Sequence, residues 1–313
     1  MIINTGGRTD LAHYYPQWLL QRFKEGFVYV RNPLYPEKIT KYLLSPETVD
    51  CVIFCSKNYA PLLDRITEIT DKFNTYFFYT ITAYGKDIEK GIPDIDKSID
   101  TLIKLEKIVG KERISWRYDP VLLTKKYTVQ QHLITFEHMT ARLHSHVRNC
   151  IFSFVQIYKK IESNFPELEE ISPENKDILA RGFGKIAAKY RMQIKTCAEK
   201  NDYTSYGIQK SGCVTLNEIA DSNDLKFKEL KHSGMRKNCR CIQSNDIGAY
   251  DTCPGGCRYC YANSDHELAE KNYRTHDFKS PILTGKISTS EQITNAKQKS
   301  FLVNPPPQLL LFE

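Results

Sequence analysis

CVIFCSKNYAPLLDRITEITDKFNTYFFYTI, residues 51–81, sets two apolar runs, 51–55 and 75–81, on either side of a helical pattern at 62–73. Runs that are apolar throughout, rather than alternating, are expected of strands covered on both faces, and strand, helix, strand is the unit of a parallel sheet. Working outward, further strands are expected at 2–5, 27–31, 113–118, 151–157 and 193–197. Helical patterns fall at 15–24, 36–42, 95–109, 129–144 and 173–189. Seven strand-helix steps predict an α/β chain built as a (β/α) TIM-like barrel, complete or one strand short, rather than an open doubly wound sheet.

A barrel of this kind does its chemistry where the strands end. Polar residues recur there. Asp10, Asp119 and Glu199 are the carboxylates expected to orient a substrate, and Arg8, Arg31, Lys57 and Arg117 are the cations expected to meet phosphates or a cofactor carboxylate. Each also has a plain alternative as a helix cap or salt-bridge partner.

The first residues carry no basic region followed by an apolar run, and no stretch is long enough to cross a bilayer, so a soluble, cytoplasmic chain is expected. The net charge of +7, from 44 basic and 37 acidic residues, permits a nucleic-acid partner without requiring one. Ten cysteines in a reducing compartment point to metals or catalysis more than to disulfides. Cys51, Cys55 and Cys150 lie in apolar runs and read as core, whereas the other seven crowd between 197 and 260. The eight histidines show no ligand pair and read as surface residues. The chain thus divides into a barrel at 1–212, a cysteine-rich segment at 213–275 expected to fold over the barrel mouth, and a polar tail at 276–313.

Cys253, Cys257 and Cys260 are spaced C-x3-C-x2-C. Three thiolates on one glycine-containing loop can hold three irons of a [4Fe–4S] cluster and leave the fourth open. A zinc knot is the alternative, but zinc sites draw on two cysteine pairs, or one pair with histidines, and no fourth ligand adjoins these three. Cys197, Cys213, Cys239 and Cys241 supply four more thiols, enough for a second, fully ligated cluster or for a zinc ion.

The C-x3-C-x2-C spacing, with Tyr259 just before the last cysteine, resembles the cluster loop of radical S-adenosylmethionine (SAM) enzymes. That resemblance implies SAM bound at the open iron, an electron donor such as flavodoxin or ferredoxin, and radical chemistry confined by the barrel. Two departures stand out. The loop follows the barrel instead of its first strand, and no Gly-Gly-Glu element is present to receive the SAM amine. More broadly, RTD at 8–10, VRNP at 30–33, SKN at 56–58, YGKDIE at 84–89, WRYDP at 116–120, CAE at 197–199, DIGAYDTCPGGCRYCYAN at 246–263 and HDFKSPIL at 276–283 resemble a bacterial family described only as a domain of unknown function. Its C-terminal cysteines look like the same radical SAM motif.

After three prolines at 305–307, Gln308, Leu309, Leu311 and Phe312 resemble the short peptide by which bacterial polymerases and repair proteins dock on the DNA sliding clamp. Glutamine would fix the entry of an extended peptide while its apolar residues fill a pocket; a plug packed on the chain's own body is the alternative. Docking would make DNA or a nucleotide the substrate, for repair or modification, as the spore photoproduct lyase illustrates by analogy. Two other expectations remain open: a zinc-stabilised DNA-associated binding protein, and an iron–sulfur redox protein that uses no SAM.

Overall fold

The computed structural model describes residues 1–230 and 239–304. In chain order these form β1 (Ile2–Asn4), α1 (Leu11–Tyr14), α2 (Pro16–Glu25), β2 (Phe27–Arg31), β3 (Lys38–Leu43), β4 (Cys51–Ser56), α3 (Thr67–Thr70), β5 (Thr75–Thr80), α4 (Ile95–Val109), β6 (Ile114–Val121), α5 (Val129–Leu143), β7 (Asn149–Phe154), α6 (Lys159–Asn164), α7 (Pro173–Lys189), β8 (Ile194–Cys197), β9 (Gln209–Ser211), α8 (Leu216–Asn223), β10 (Asn245–Asp246), α9 (His266–Arg274) and β11 (Gln292–Asn295).

Eight of the strands make one parallel sheet in the order β10, β1, β4, β5, β6, β7, β8, β9. Apart from β10, which returns to pair with β1 through Ile3 and Asn245, the order follows the chain. The expected alternation of strand and helix is therefore present. Closure into a barrel is not shown: among the described residues β9 and β10 are the ends of the sheet, with no pairing between them.

Side chains alternate across each strand, so one sequence covers two faces. Val52, Phe54, Phe77, Tyr79, Trp116, Tyr118 and Phe152 pack against the helices, meeting Leu19, Leu102, Phe136 and Phe183. On the other face Ile2, Ile53, Tyr76, Phe78, Ile151 and Cys197 form a separate apolar cluster. Local signals set the helix ends. Thr128 and Ser172 accept from the backbone N–H of Gln131 and Asn175, and Gly26, at φ 78°, closes α2 where a side chain would be strained.

Two expectations about elements fail. Residues 27–31 form a strand, but β2 belongs to a second, three-stranded sheet of β11, β3 and β2. Its burial alternates, as in a strand covered on one face, whereas β5 and β7 are buried along their whole length. Residues 36–42 are not helical. β3 pairs antiparallel with β2, and the buried, β-branched Ile39 fits that pleated partner better than an isolated turn of helix. One histidine also departs from expectation: His132 is fully buried in α5, held between the Tyr118 hydroxyl at 2.6 Å and the Leu122 carbonyl at 2.8 Å.

Beyond 275 the chain keeps packing on the body. β11 pairs with β3, the Trp18 indole donates to the Ser280 carbonyl at 2.8 Å, and Ile282, Leu283 and Leu302 are buried. The peptide from Gln308 to Phe312 lies outside the described residues. Among the described residues no helix is long and apolar enough to cross a membrane.

Candidate functional site

Chain leaving β10 does not turn away from the sheet. The Ile247 N–H donates to the Asn4 carbonyl at 3.0 Å, carrying residues 247–263 over the C-terminal ends of β1, β4 and β5. The Tyr15 hydroxyl donates to the Thr252 carbonyl at 2.6 Å, the Gly91 N–H to the Gly255 carbonyl at 2.9 Å, and Glu89 bridges to Cys257. The loop carrying Cys253, Cys257 and Cys260 thus sits at the strand ends, with all three cysteines half-buried.

Close approach at this edge depends on glycine. A Cβ on Gly6 would stand 1.9 Å from the Cys55 carbonyl oxygen, so β1 could not run beside β4 with any side chain there. The next N–H, of Gly7, donates to Asp246 at 2.6 Å, and the Tyr261 hydroxyl donates to the Gly7 carbonyl at 2.5 Å.

Asp10 follows immediately. Its carboxylate caps α1 by accepting from the His13 N–H at 3.1 Å and reaches across to the Lys57 N–H at 2.8 Å. Burial pushes this carboxyl up to about 6, against the opposing pull of those hydrogen bonds. Cys253 is pushed up to about 12 by burial and, next, by the nearby Asp10 charge. Cys257 is raised by burial and then by Glu89. Such thiols would give up their protons to a cation rather than to bulk water.

The centre of the array is Glu89, which residue pattern alone left out of the site. One of its oxygens accepts from Lys57 Nζ at 2.8 Å, from the Thr82 hydroxyl at 2.7 Å and from the Tyr259 hydroxyl. Tyr259 lies between Cys257 and Cys260, so the cysteine loop is fastened to a buried, charged anchor. The clue was the YGKDIE stretch, but it falls in irregular chain between β5 and α4, where no periodicity marks a side chain as inward.

The other expected residues divide. Arg117 pairs with Asp119, and Asp119 also accepts from the Ser153 hydroxyl. Both alternate with Trp116 and Tyr118 and so lie on the sheet face away from the helices. Glu199, just past β8, accepts from the Phe154 N–H at 3.0 Å. Arg8 reaches the Gly248 carbonyl at 3.5 Å and lies 5.5 Å from the Tyr250 ring centre. Arg31 stands apart: on β2, it pairs with Glu291 at 2.5 Å and donates to the Thr284 carbonyl at 3.2 Å.

The remaining late cysteines gather into a second group. Cys197 ends β8, Cys213 follows β9, and Cys239 and Cys241 precede β10. The Cys197 sulfur is 3.8 Å from that of Cys241 and 4.0 Å from that of Cys239. Among the described residues, the one triple of candidate ligands whose atoms all lie within 4.8 Å of one another is Cys197, Cys213 and Cys241. Crowding drives the thiols' proton affinities apart: hydrogen bonding to Cys197 holds Cys239 down and pushes Cys213 up. The sequence counted these thiols correctly but could not say that they meet.

The two groups therefore differ in spacing. Among the described residues Cys253, Cys257 and Cys260 do not form such a triple, and the loop carries no fourth cysteine.

A family model described as a domain of unknown function (DUF1848) matches residues 2–262. No curated protein matches the chain. Among solved structures it is similar to the crystal structure of a "putative alpha-L-fucosidase" from Bacteroides thetaiotaomicron, at 17% identity over 56% of this chain and 72% of that one. The TM-score is 0.25, too low for that likeness to carry an argument.

Proposed function

Since the chain belongs to the DUF1848 family, a membership that assigns no activity, we propose from its own residues that it is an iron–sulfur enzyme of radical SAM type acting on DNA or a nucleotide. The observation that carries this reading is the Cys253, Cys257, Cys260 loop, fastened over the C-terminal strand ends by Tyr259 and Glu89. Ligands in parallel α/β folds bind at that edge. In this reading the eight-stranded sheet closes into a barrel whose seam lies between β9 and β10, and the loop covers its mouth.

Cys253, Cys257 and Cys260 would hold a [4Fe–4S] cluster, which would supply one-electron chemistry to a bound SAM. The chain's own residues do the rest. Glu89 holds the loop in register through Tyr259 and neutralises Lys57, whose ammonium is drawn away from solvent. Asp10 keeps the turn after β1 in place and offers a buried carboxyl beside Cys253. Arg8, held beside Tyr250, would meet a phosphate or the carboxylate of SAM. Arg117 and Asp119 form a fixed polar pair on the sheet face below, suited to orienting a base or sugar.

A nucleic-acid substrate is supported by the excess of positive charge and by the clamp-like residues Gln308, Leu309, Leu311 and Phe312. Flavodoxin or ferredoxin would supply electrons.

Anaerobic purification with iron and sulfide analysis tests the reading. About four irons and four sulfides per chain are expected from the loop, lost together when Cys253, Cys257 and Cys260 are changed to alanine. A chain that binds neither iron nor sulfide after reconstitution would overturn it.

A further inference from the structure

The four thiols away from the loop have a geometry of their own. A zinc ion with zinc–sulfur bonds of about 2.3 Å sets tetrahedral sulfurs about 3.8 Å apart. Cys197 lies 3.8 Å from Cys241 and 4.0 Å from Cys239, and Cys213 closes a triple with Cys197 and Cys241 inside 4.8 Å. We propose that Cys197, Cys213, Cys239 and Cys241 bind a single zinc ion, and that this ion latches the β9 edge of the sheet to the chain entering β10.

A disulfide would bring a pair of sulfurs to about 2.0 Å, and all ten cysteines are free. A cubane cluster gives each thiolate a separate iron, so its sulfurs stand farther apart than those sharing one ion. Thiolates packed as closely as Cys197, Cys213 and Cys241 would repel one another with no cation between them, and Cys239, outside that triple but 4.0 Å from Cys197, is the thiol at hand to complete the set. The surroundings favour a bound thiolate: the N–H groups of Cys213 and Val214 point at the Cys241 sulfur from 3.2 and 3.5 Å, the outer-layer support that fixes a metal ligand. Four thiolates leave no position open for water or substrate, so the ion is structural.

Its place gives it a mechanical role. Among the described residues no strand pairing joins β9 to β10, yet the Ile242 N–H donates to the Val214 carbonyl at 3.0 Å directly beside the sulfurs. Cys213 belongs to one side of that gap and Cys241 to the other, while Cys197 lies at the end of β8, which pairs with β9. The ion spans the place where the backbone ladder stops. This inference stands whether or not the loop carries an iron–sulfur cluster.

The test is metal analysis of the full chain purified from zinc-supplemented medium, with X-ray absorption at the zinc edge. About one zinc per chain with four sulfurs at about 2.3 Å is expected, and it should survive alanine substitution of Cys253, Cys257 and Cys260. In C239S and C241S the zinc content should fall at least tenfold and the melting temperature should drop. If a variant fails to fold, the wild-type absorption spectrum alone decides. Iron with sulfide at these four cysteines, a single iron in place of zinc, oxygen or nitrogen ligands, or no metal would overturn the proposal.

Discussion

Tyr259 donates its hydroxyl to the same Glu89 oxygen that accepts from Lys57 and Thr82, so one carboxylate ties the cysteine loop to the strand ends. Tyr259 and Glu89 are 170 residues apart, and both are buried.

That relationship is separable by substitution. Glu89→Ala leaves the Lys57 ammonium without its partner and should cost about 3 kcal/mol of stability. Tyr259→Phe removes one donor while Lys57 and Thr82 remain, and should cost about 1 kcal/mol. Urea unfolding of the two variants measures both; equal effects would mean that Glu89 is not the anchor.

A second charged cluster lies at the other end of the sheet. Lys195 and Glu218 are buried and paired, and Glu218 also accepts from Asn149 and from Thr215 at 2.7 Å. Glu218→Ala should destabilise by about 3 to 5 kcal/mol, because it strands a buried ammonium. Replacing both residues, Lys195→Met with Glu218→Leu, should recover most of that loss, and thermal unfolding of the three variants completes the cycle.

Stability should also depend on pH through His132. Burial lowers its pKa from the ordinary 6.5 to about 4, so the folded state keeps the imidazole neutral. Between those two values the unfolded chain binds the extra proton. The contribution is therefore fully present above pH 6.5 and is lost as pH falls towards 4, by about 3 kcal/mol in all. Unfolding midpoints of the wild type and His132→Gln at pH 7.5 and pH 5 read this directly. The gap between the two proteins should narrow at the lower pH, and a constant gap would contradict the assignment.

The sequence carried the fold where burial on both faces wrote it into composition. β4 and β5 are apolar along nearly their whole length, and the helix between the runs was visible even though it folds as short turns around α3. β9 reads QKS and β10 reads ND, too short and polar to leave a hydrophobic signal, so the last two strands could not be seen. β3 was mistaken because Ile39 and Tyr42 are spaced as on a helix face, and only the partner strand decides between the two. For the site, spacing exposed Cys253, Cys257 and Cys260, since they are close in sequence. Cys197 and Cys241 meet across 44 positions, and Arg31 was drawn into the site only because its strand was assigned to the wrong sheet.

A radical SAM function requires a cluster on the loop with an iron open to SAM. Electron paramagnetic resonance of the reduced, reconstituted protein, recorded with and without SAM, tests it most directly. A [4Fe–4S] signal that changes on adding SAM, and that disappears when Cys257 is replaced by alanine, is the expected result. A cluster signal indifferent to SAM would make this an iron–sulfur protein of another kind, and would contradict the account of the site as a radical SAM centre.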